Sequence, residues 1–381
     1  VKKLSATIAE LAAMRAAGAP SPVGLAPIRL QNLAAFGTNP GALKAKVHVP
    51  ARLADRPALV VVMHGCTQNA DGYDHGSGWS RLADEHGFAL LFPEQQRANN
   101  PNLCFNWFSP ADNARDRGEA LSVRQMIATM MAAHDIDASR VFITGLSAGG
   151  AMTSIMLAAY PELFAGGAII AGLPHGAASN VSEALQAMRG STTYGAGELG
   201  DHVRKASGHN GPWPCVSVWH GTADATVNGA NADAIIAQWV SVHGLDTTPS
   251  ATETIAGHRR RIWKDAAGRP VLEDYRIEGM GHGTPLATTG EEACGAIMPH
   301  MIEANISSTR RIAASWHLLD GGDLGSTPHS MKQRDETSGA SNGRAAPVER
   351  QRPATPPPAA PAKGGVEKII EDALRAAGLM R

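Results

Sequence analysis

Residues 141–160, VFITGLSAGGAMTSIMLAAY, constrain this chain more than any other stretch. Val141, Phe142, Ile143 and Thr144 are apolar or β-branched and read as a strand. From Ala151 to Ala159 small and apolar residues recur at helical spacing, stopped by Pro161. Between the two stands Gly145-Leu146-Ser147-Ala148-Gly149. A strand that passes through G-x-S-x-G into a helix is the setting of a nucleophile elbow. The turn is tight, so the neighbours of the serine must be nearly free of side chain, as Gly145, Ala148, Gly149 and Gly150 are. It lifts the Ser147 hydroxyl to the carboxyl edge of a sheet, where the first N–H groups of the helix face it. Ser147 is thus a candidate nucleophile. The alternative is a structural, glycine-rich strand–helix turn.

Strands and helices alternate on both sides of this segment. Residues 58–63 (ALVVVM) and 88–92 (FALLF) are continuous apolar runs typical of strands buried on both faces. Residues 47–49, 168–171 (AIIA) and 215–219 (CVSVW) add further strands, and 79–85, 118–134, 230–240 and 308–318 read as helices. Residues 253–263 and 271–277 alternate like antiparallel or edge strands, with a turn at 266–268. The stretch 177–214 has weak periodicity and reads as a cap or surface excursion. Together these predict an α/β fold over residues 39–320, a doubly wound, mostly parallel sheet.

The ends differ in composition. Within residues 1–38, an N-terminal helix and lead-in, Leu4, Ile8, Leu11 and Met14 fall at helical spacing. Glu10 and Arg15 interrupt the apolar run that a secretory signal requires, and the leading valine leaves export open. Residues 321–365, rich in Gly, Ser, Pro, Ala and Arg, read as a disordered linker. Residues 366–381 resume an amphipathic pattern through Ile369, Ile370, Leu374 and Leu379. So short a helix is marginal alone and is expected to dock on its own domain or on a partner.

A net charge of −1 gives no electrostatic case for nucleic acid or an anionic membrane surface. No apolar run reaches the roughly 18 residues of a membrane span. The four cysteines show no C-x-x-C spacing, so no metal site is expected, and no cofactor motif appears. Three pairings are possible. Their placement in loops suits disulfides in an oxidising compartment, and the alternative is four reduced thiols in a cytoplasmic protein.

A nucleophilic serine needs a base within hydrogen-bond reach and a carboxylate that orients the base. In folds with this elbow the chain order is Ser, then Asp or Glu, then His. Of the later histidines, His282 alone lies between glycines just after a late strand, on a loop able to swing over the sheet edge. Asp224 follows the strand 215–219 at the same edge, with an Asx-turn as its alternative role. His64-Gly65-Cys66 directly follows a central strand, where a second oxyanion donor belongs. We assign that donor to the backbone N–H of Cys66 and the first to that of Ala148. His64 itself reads as a turn residue that hydrogen-bonds locally. The long loop 94–116 carries Phe105, Trp107 and Phe108, either a substrate-facing wall or an aromatic plug.

HGCTQNADGY at 64–73, WSRLADEHGFALLFPEQ at 79–95, CFNWF at 104–108, VFITGLSAGGAM at 141–152, AGLPHGAA at 171–178 and HGTADATV at 220–227 resemble the polyhydroxybutyrate-depolymerase family of esterases. The resemblance spans roughly residues 40 to 320, with six motifs in the family's order. It implies an α/β-hydrolase fold, hydrolysis of short-chain polyhydroxyalkanoate esters, and a triad on Ser147, Asp224 and His282. It implies disulfides Cys66–Cys104 and Cys215–Cys294; Trp107, from the aromatic loop, and His175 are the candidate substrate contacts. It also implies an extracellular or periplasmic enzyme. The chain departs from the family at GHGTPL, where many members carry Trp after the histidine, and at His175, where many carry Tyr. A signal peptide and a folded polymer-binding domain, found in secreted polymer-degrading members, are not visible. Soluble oligomers or small esters are therefore the expected substrates. The rival readings are a feruloyl or acetylxylan esterase, a peptidase on the same triad, and a non-catalytic binding module of the same fold.

Overall fold

A computed structural model describes residues 29–191, 195 and 197–319, all in the first of the two units, Val1–Leu319 and Asp320–Arg381, into which the chain divides. The expected N-terminal helix around Leu4–Met14, the linker 321–365 and the helix 366–381 lie outside the described residues.

The strands are β1 (Gln31–Asn32), β2 (Lys44–His48), β3 (Leu59–Met63), β4 (Ala89–Glu94), β5 (Val141–Leu146), β6 (Gly166–Ile170), β7 (Cys215–Gly221), β8 (Ala251–Ile255), β9 (His258–Lys264), β10 (Pro270–Ile277), β11 (Thr284–Leu286) and β12 (Met301–Glu303). Ten of them form one sheet in the order β1-β2-β4-β3-β5-β6-β7-β10-β9-β8. The six central strands, β4 to β10 in that order, are parallel, and an antiparallel pair flanks each side. The apolar runs predict this: β3 and β5 are buried along their whole length because helices cover both faces.

The helices are α1 (Ala70–Ser77), α2 (Trp79–His86), α3 (Gly118–His134), α4 (Ala148–Ala159), α5 (Val181–Met188), α6 (Glu198–Ser207), α7 (Ala230–His243) and α8 (Ser308–Ser315). Residues of α1, α2 and α8, including Tyr73, Trp79, Leu82 and Ile312, share one apolar cluster with Val60, Val62, Phe142 and Leu146. The other cluster joins α3 to α7, through Met126, Met152, Val203 and Trp239, to Val61, Ile143 and Val218. Alternate residues of β3 and β5 thus feed opposite cores, as a period of two requires. Helix α4 is buried all round, which explains its lack of any polar face. Among the described residues no helix is long and apolar enough to cross a membrane.

Three differences from the sequence reading have local causes. The stretch 253–263 is two strands, because Ala256 and Gly257 both have positive φ (51° and 84°) and close a two-residue hairpin between β8 and β9. The supposed cap contains the short helices α5 and α6, the first capped by the Asn180 side chain accepting from the Glu183 N–H. Helix α1 was not foreseen from its glycine-rich sequence; the Asn69 side chain caps it by accepting the Gly72 N–H at 2.8 Å.

Chain order reverses at the centre of the sheet. From β3 the chain moves outward to β4, then returns across β3 to β5. The crevice outside the carboxyl ends of β3 and β5 is the topological switch point, where α/β sheets bind ligands. The His64-Gly65-Cys66 turn leaves β3 there, and Ser147 leaves β5 beside it.

Candidate active site

Ser147 sits between β5 and α4 with φ 57° and ψ −117°, a left-handed conformation costly for any residue with a side chain. The surrounding structure enforces it. The Ser147 N–H donates to the Ile170 carbonyl at 2.9 Å, and its own carbonyl accepts from Ala151 at 2.8 Å. Helix α4 presses so closely on β3 that a Cβ at Gly149 would lie 2.4 Å from the Met63 carbonyl oxygen. At Gly145 it would meet the Gly149 carbonyl carbon at 2.5 Å. The glycines of the motif are therefore demanded by backbone contact, and the serine remains partly exposed.

Asp224 and His282 come together because β7 and β10 are parallel neighbours whose carboxyl-end turns are strapped to each other. The Ala223 N–H donates to the Met280 carbonyl at 3.0 Å, and the Gly279 N–H to Thr222 Oγ1 at 2.8 Å. His282 Nδ1 donates to Asp224 Oδ2 at 2.7 Å. Asp224 Oδ1 accepts the N–H groups of Thr226 and Val227, each at 2.9 Å, so the predicted Asx-turn and the contact to His282 use different oxygens. Burial works to raise the Asp224 carboxyl, but the His282 bond and charge and the Val227 N–H outweigh it and hold it below the usual range. The side chain is fully enclosed, and that of His282 is 7% exposed. With Nδ1 committed as donor, neutral His282 carries a free lone pair on Nε2, the atom a general base uses.

Two further histidines adjoin this pair. His220 is buried on β7 and donates from Nε2 to the Val227 carbonyl at 2.8 Å. Burial lowers its pKa, so it stands 3.6 Å from Asp224 Oδ2 as a neutral ring and does not compete for that oxygen. His300 Nδ1 donates to the His282 carbonyl at 3.2 Å, and the two rings meet edge to face with centroids 5.9 Å apart. His300 is not legible from sequence, because its loop reaches the site from beyond β11.

The predicted oxyanion donors lie at the switch point. The N–H of Ala148 opens α4, where no intrahelical acceptor exists. The N–H of Cys66 is likewise unused by the hydrogen bonds of the loops and caps. Residue 65 borders the elbow directly: a Cβ there would be 3.4 Å from the Leu146 carbonyl. His64 is the local turn residue expected. Its Nε2 accepts the Gln95 N–H at 3.1 Å and its Nδ1 donates to the Gly65 carbonyl at 2.8 Å. Burial lowers its pKa and keeps the ring neutral.

Cys66 and Cys104 form a disulfide that ties the turn after β3 to the long loop. The expected Cys215–Cys294 bridge is absent: both are free thiols. Cys215 begins β7 at the amino edge of the sheet, while Cys294 is buried against the Ser77 and Gly78 carbonyls where α1 meets α2. Of the loop aromatics, Phe105 is a plug, fully buried with its ring 4.9 Å from that of His64. Trp107 is mostly buried and stands edge-on to Phe108. His175 follows β6; Gln238 holds its backbone through both the N–H and the carbonyl. Burial, reinforced by nearby His202, pushes the His175 imidazole down to about 4.

Sequence reasoning missed the polar cluster beneath the long loop. Glu119 lies in the first turn of α3, where an acidic side chain suits the helix dipole and needs no burial. It is in fact fully buried and accepts from Gln95 Nε2 (2.6 Å), Asn106 Nδ2 (2.8 Å) and the Asn106 N–H (2.9 Å).

A parallel sheet with this elbow and a carboxylate–histidine pair at the same edge has the architecture of an α/β-hydrolase, and the chain is a carboxylic ester hydrolase. It belongs to the family described as Esterase PHB depolymerase, whose profile matches residues 43–261. It is 44% identical over 292 residues to poly(3-hydroxyalkanoate) depolymerase C of Paucimonas lemoignei, covering 76% of this chain and 70% of that one. It is 31% identical to feruloyl esterase B of Talaromyces funiculosus, over 66% of this chain and 72% of the relative. Among solved structures, the acetyl xylan esterase from Aspergillus awamori superposes with a TM-score of 0.62 at 28% identity, covering 66% of this chain and 93% of that one.

Proposed function

We propose that the enzyme hydrolyses short-chain hydroxyalkanoate esters of the 3-hydroxybutyrate type, with Ser147 as nucleophile, His282 as general base and then acid, and Asp224 as the orienting carboxylate. The observation that carries the chemistry is the 2.7 Å Nδ1–Oδ2 bond, which leaves His282 Nε2 as the proton acceptor at the edge where Ser147 emerges. Nε2 takes the proton as Ser147 Oγ attacks the ester carbonyl. The oxyanion forms against the N–H groups of Cys66 and Ala148. Collapse expels the alcohol, which receives the proton from His282, and leaves an acyl-serine. Water, deprotonated by the same nitrogen, then releases the acid.

The substrate class is supported by the 44% identity to a poly(3-hydroxyalkanoate) depolymerase. A carbohydrate-ester reading draws on the feruloyl and acetyl xylan esterase relatives and on the superposition at TM-score 0.62. Trp107 and His175 are the proposed substrate contacts. The disulfide supports an extracellular or periplasmic location. Initial rates on 3-hydroxybutyrate oligomers, methyl ferulate and acetylated xylo-oligosaccharides test the choice. The hydroxybutyrate oligomers should be cleaved fastest, and Ser147→Ala should abolish cleavage. Faster turnover of the sugar esters would overturn the substrate assignment, and full activity in Ser147→Ala would overturn the mechanism.

A further inference from the structure

A buried carboxylate with no cation partner among its hydrogen bonds is costly, so the groups facing Glu119 need an explanation. Backbone atoms fix the polarity of every side-chain amide around it. Asn100 Oδ1 accepts the backbone N–H of Asn102 at 3.0 Å and of Cys104 at 3.4 Å. Asn100 Nδ2 therefore donates to Asn106 Oδ1, and Asn106 Nδ2 is left to donate to Glu119. Gln95 Oε1 likewise accepts the Gln96 N–H at 2.9 Å, so Gln95 Nε2 donates to the Cys104 carbonyl and to Glu119. Neither Asn100 nor Gln95 can turn over without breaking a backbone bond, and Asn106 cannot without setting its NH2 against that of Asn100. With its carboxyl ionised, Glu119 is the all-acceptor group on which these donors converge.

Gln95 carries the connection onward. Its backbone N–H donates to His64 Nε2, which forces the His64 proton onto Nδ1 and into the bond with the Gly65 carbonyl. That carbonyl and the Cys66 N–H belong to one peptide plane, and in a trans peptide they point in opposite directions. Holding the carbonyl toward His64 aims the Cys66 N–H away from it. The Cys66–Cys104 disulfide and the Thr67 N–H bond to the Asn102 carbonyl (2.7 Å) tether the same turn to the loop Glu119 clamps.

We propose that Glu119 is a positioning residue for ester hydrolysis: through Gln95 and His64 it sets the orientation of the Gly65–Cys66 peptide, without touching substrate. The inference rests on the proposed role of the Cys66 N–H as an oxyanion donor. In Glu119→Gln the amide NH2 must oppose at least one of the three donors, so the loop and the peptide plane shift together. Removing an oxyanion donor outright commonly costs about 10²–10³ in kcat, and a misaimed donor loses part of that.

The test uses the full chain labelled with [15N]cysteine, p-nitrophenyl butyrate as substrate, and Gln95→Ala as a second variant that leaves the Gln95 backbone N–H in place. In both variants kcat should fall about ten-fold with KM changed less than two-fold. The Cys66 amide resonance should move while that of Cys215, at the far edge of the sheet, stays. If one variant does not fold, the other is read alone, since each cuts the same relay. A folded variant with kcat within two-fold of wild type and an unmoved Cys66 resonance overturns the proposal. So does a fall in kcat with that resonance unmoved, because the effect then travels by another route. A moved resonance with unchanged kcat overturns the role in hydrolysis as well, and marks the failure as that of the Cys66 oxyanion assignment, the structural coupling being intact.

Discussion

Glu119 shows how a single buried group shapes the pH response of the whole protein. Burial, the dominant influence, pushes its carboxyl up to about 8 against the pull of Asn106 and Gln95. The unfolded chain loses this proton near 4.5, so between those values the native state binds more protons than the unfolded one. This contribution to stability is full below about pH 4.5 and is lost as pH rises toward 8. Unfolding free energies of the wild type from urea titrations at pH 5, 6.5 and 8 should therefore decline relative to those of Glu119→Gln, by at most about 1.4 kcal/mol per pH unit. Parallel profiles of the two proteins would refute the assignment. Asp224 has the opposite sign, because its depressed pKa favours the fold above the unfolded value and is lost in acid. At this scale the sequence was informative where chemistry is local. Ser147, Asp224 and His282, the proposed triad, each lie in a short motif at a strand end, and the last two are in contact. The Glu119 cluster could not be read in this way, since its members come from scattered positions of the long loop and from α3, and only their convergence reveals the role.

Among the elements, the turn after β3 and the long loop after β4 act as one unit. The Cys66–Cys104 disulfide closes a loop with a sequence separation of 38, and Phe105, Asn106 and Glu119 hold its far side to the core. Bridges of this kind commonly contribute about 2–4 kcal/mol. Thiol titration in denaturant without reductant should therefore count two groups, Cys215 and Cys294, and reduction should lower the thermal midpoint. In the native state only exposed Cys215 should react. A count of zero or four would contradict the pairing. The second bridge expected from sequence failed because order along the chain does not reveal which part of the fold a residue occupies. The β8–β9 hairpin was read as one strand for a related reason: alternation continues across Ala256 and Gly257, and nothing but backbone sign marks the turn.

At the scale of the molecule, six parallel strands with helices on both faces gather the proposed triad at one edge, and the reversal between β3 and β5 sets the His64-Gly65-Cys66 turn beside the elbow. The alternation of buried strands and amphipathic helices made this sheet legible, because parallel strands covered on both sides leave continuous apolar runs. Strand order and the small β11–β12 sheet that carries His300 toward His282 were not, since both depend on contacts between distant segments. The central claim is that this architecture exists to make Ser147 a nucleophile toward esters. Rapid acid quench of the enzyme with p-nitrophenyl butyrate, followed by peptide mass spectrometry, tests it most directly. The account predicts a butyryl adduct on Ser147 that disappears in Ser147→Ala. An adduct on another residue, or steady turnover with no acyl-enzyme on Ser147 at any quench time, would contradict it.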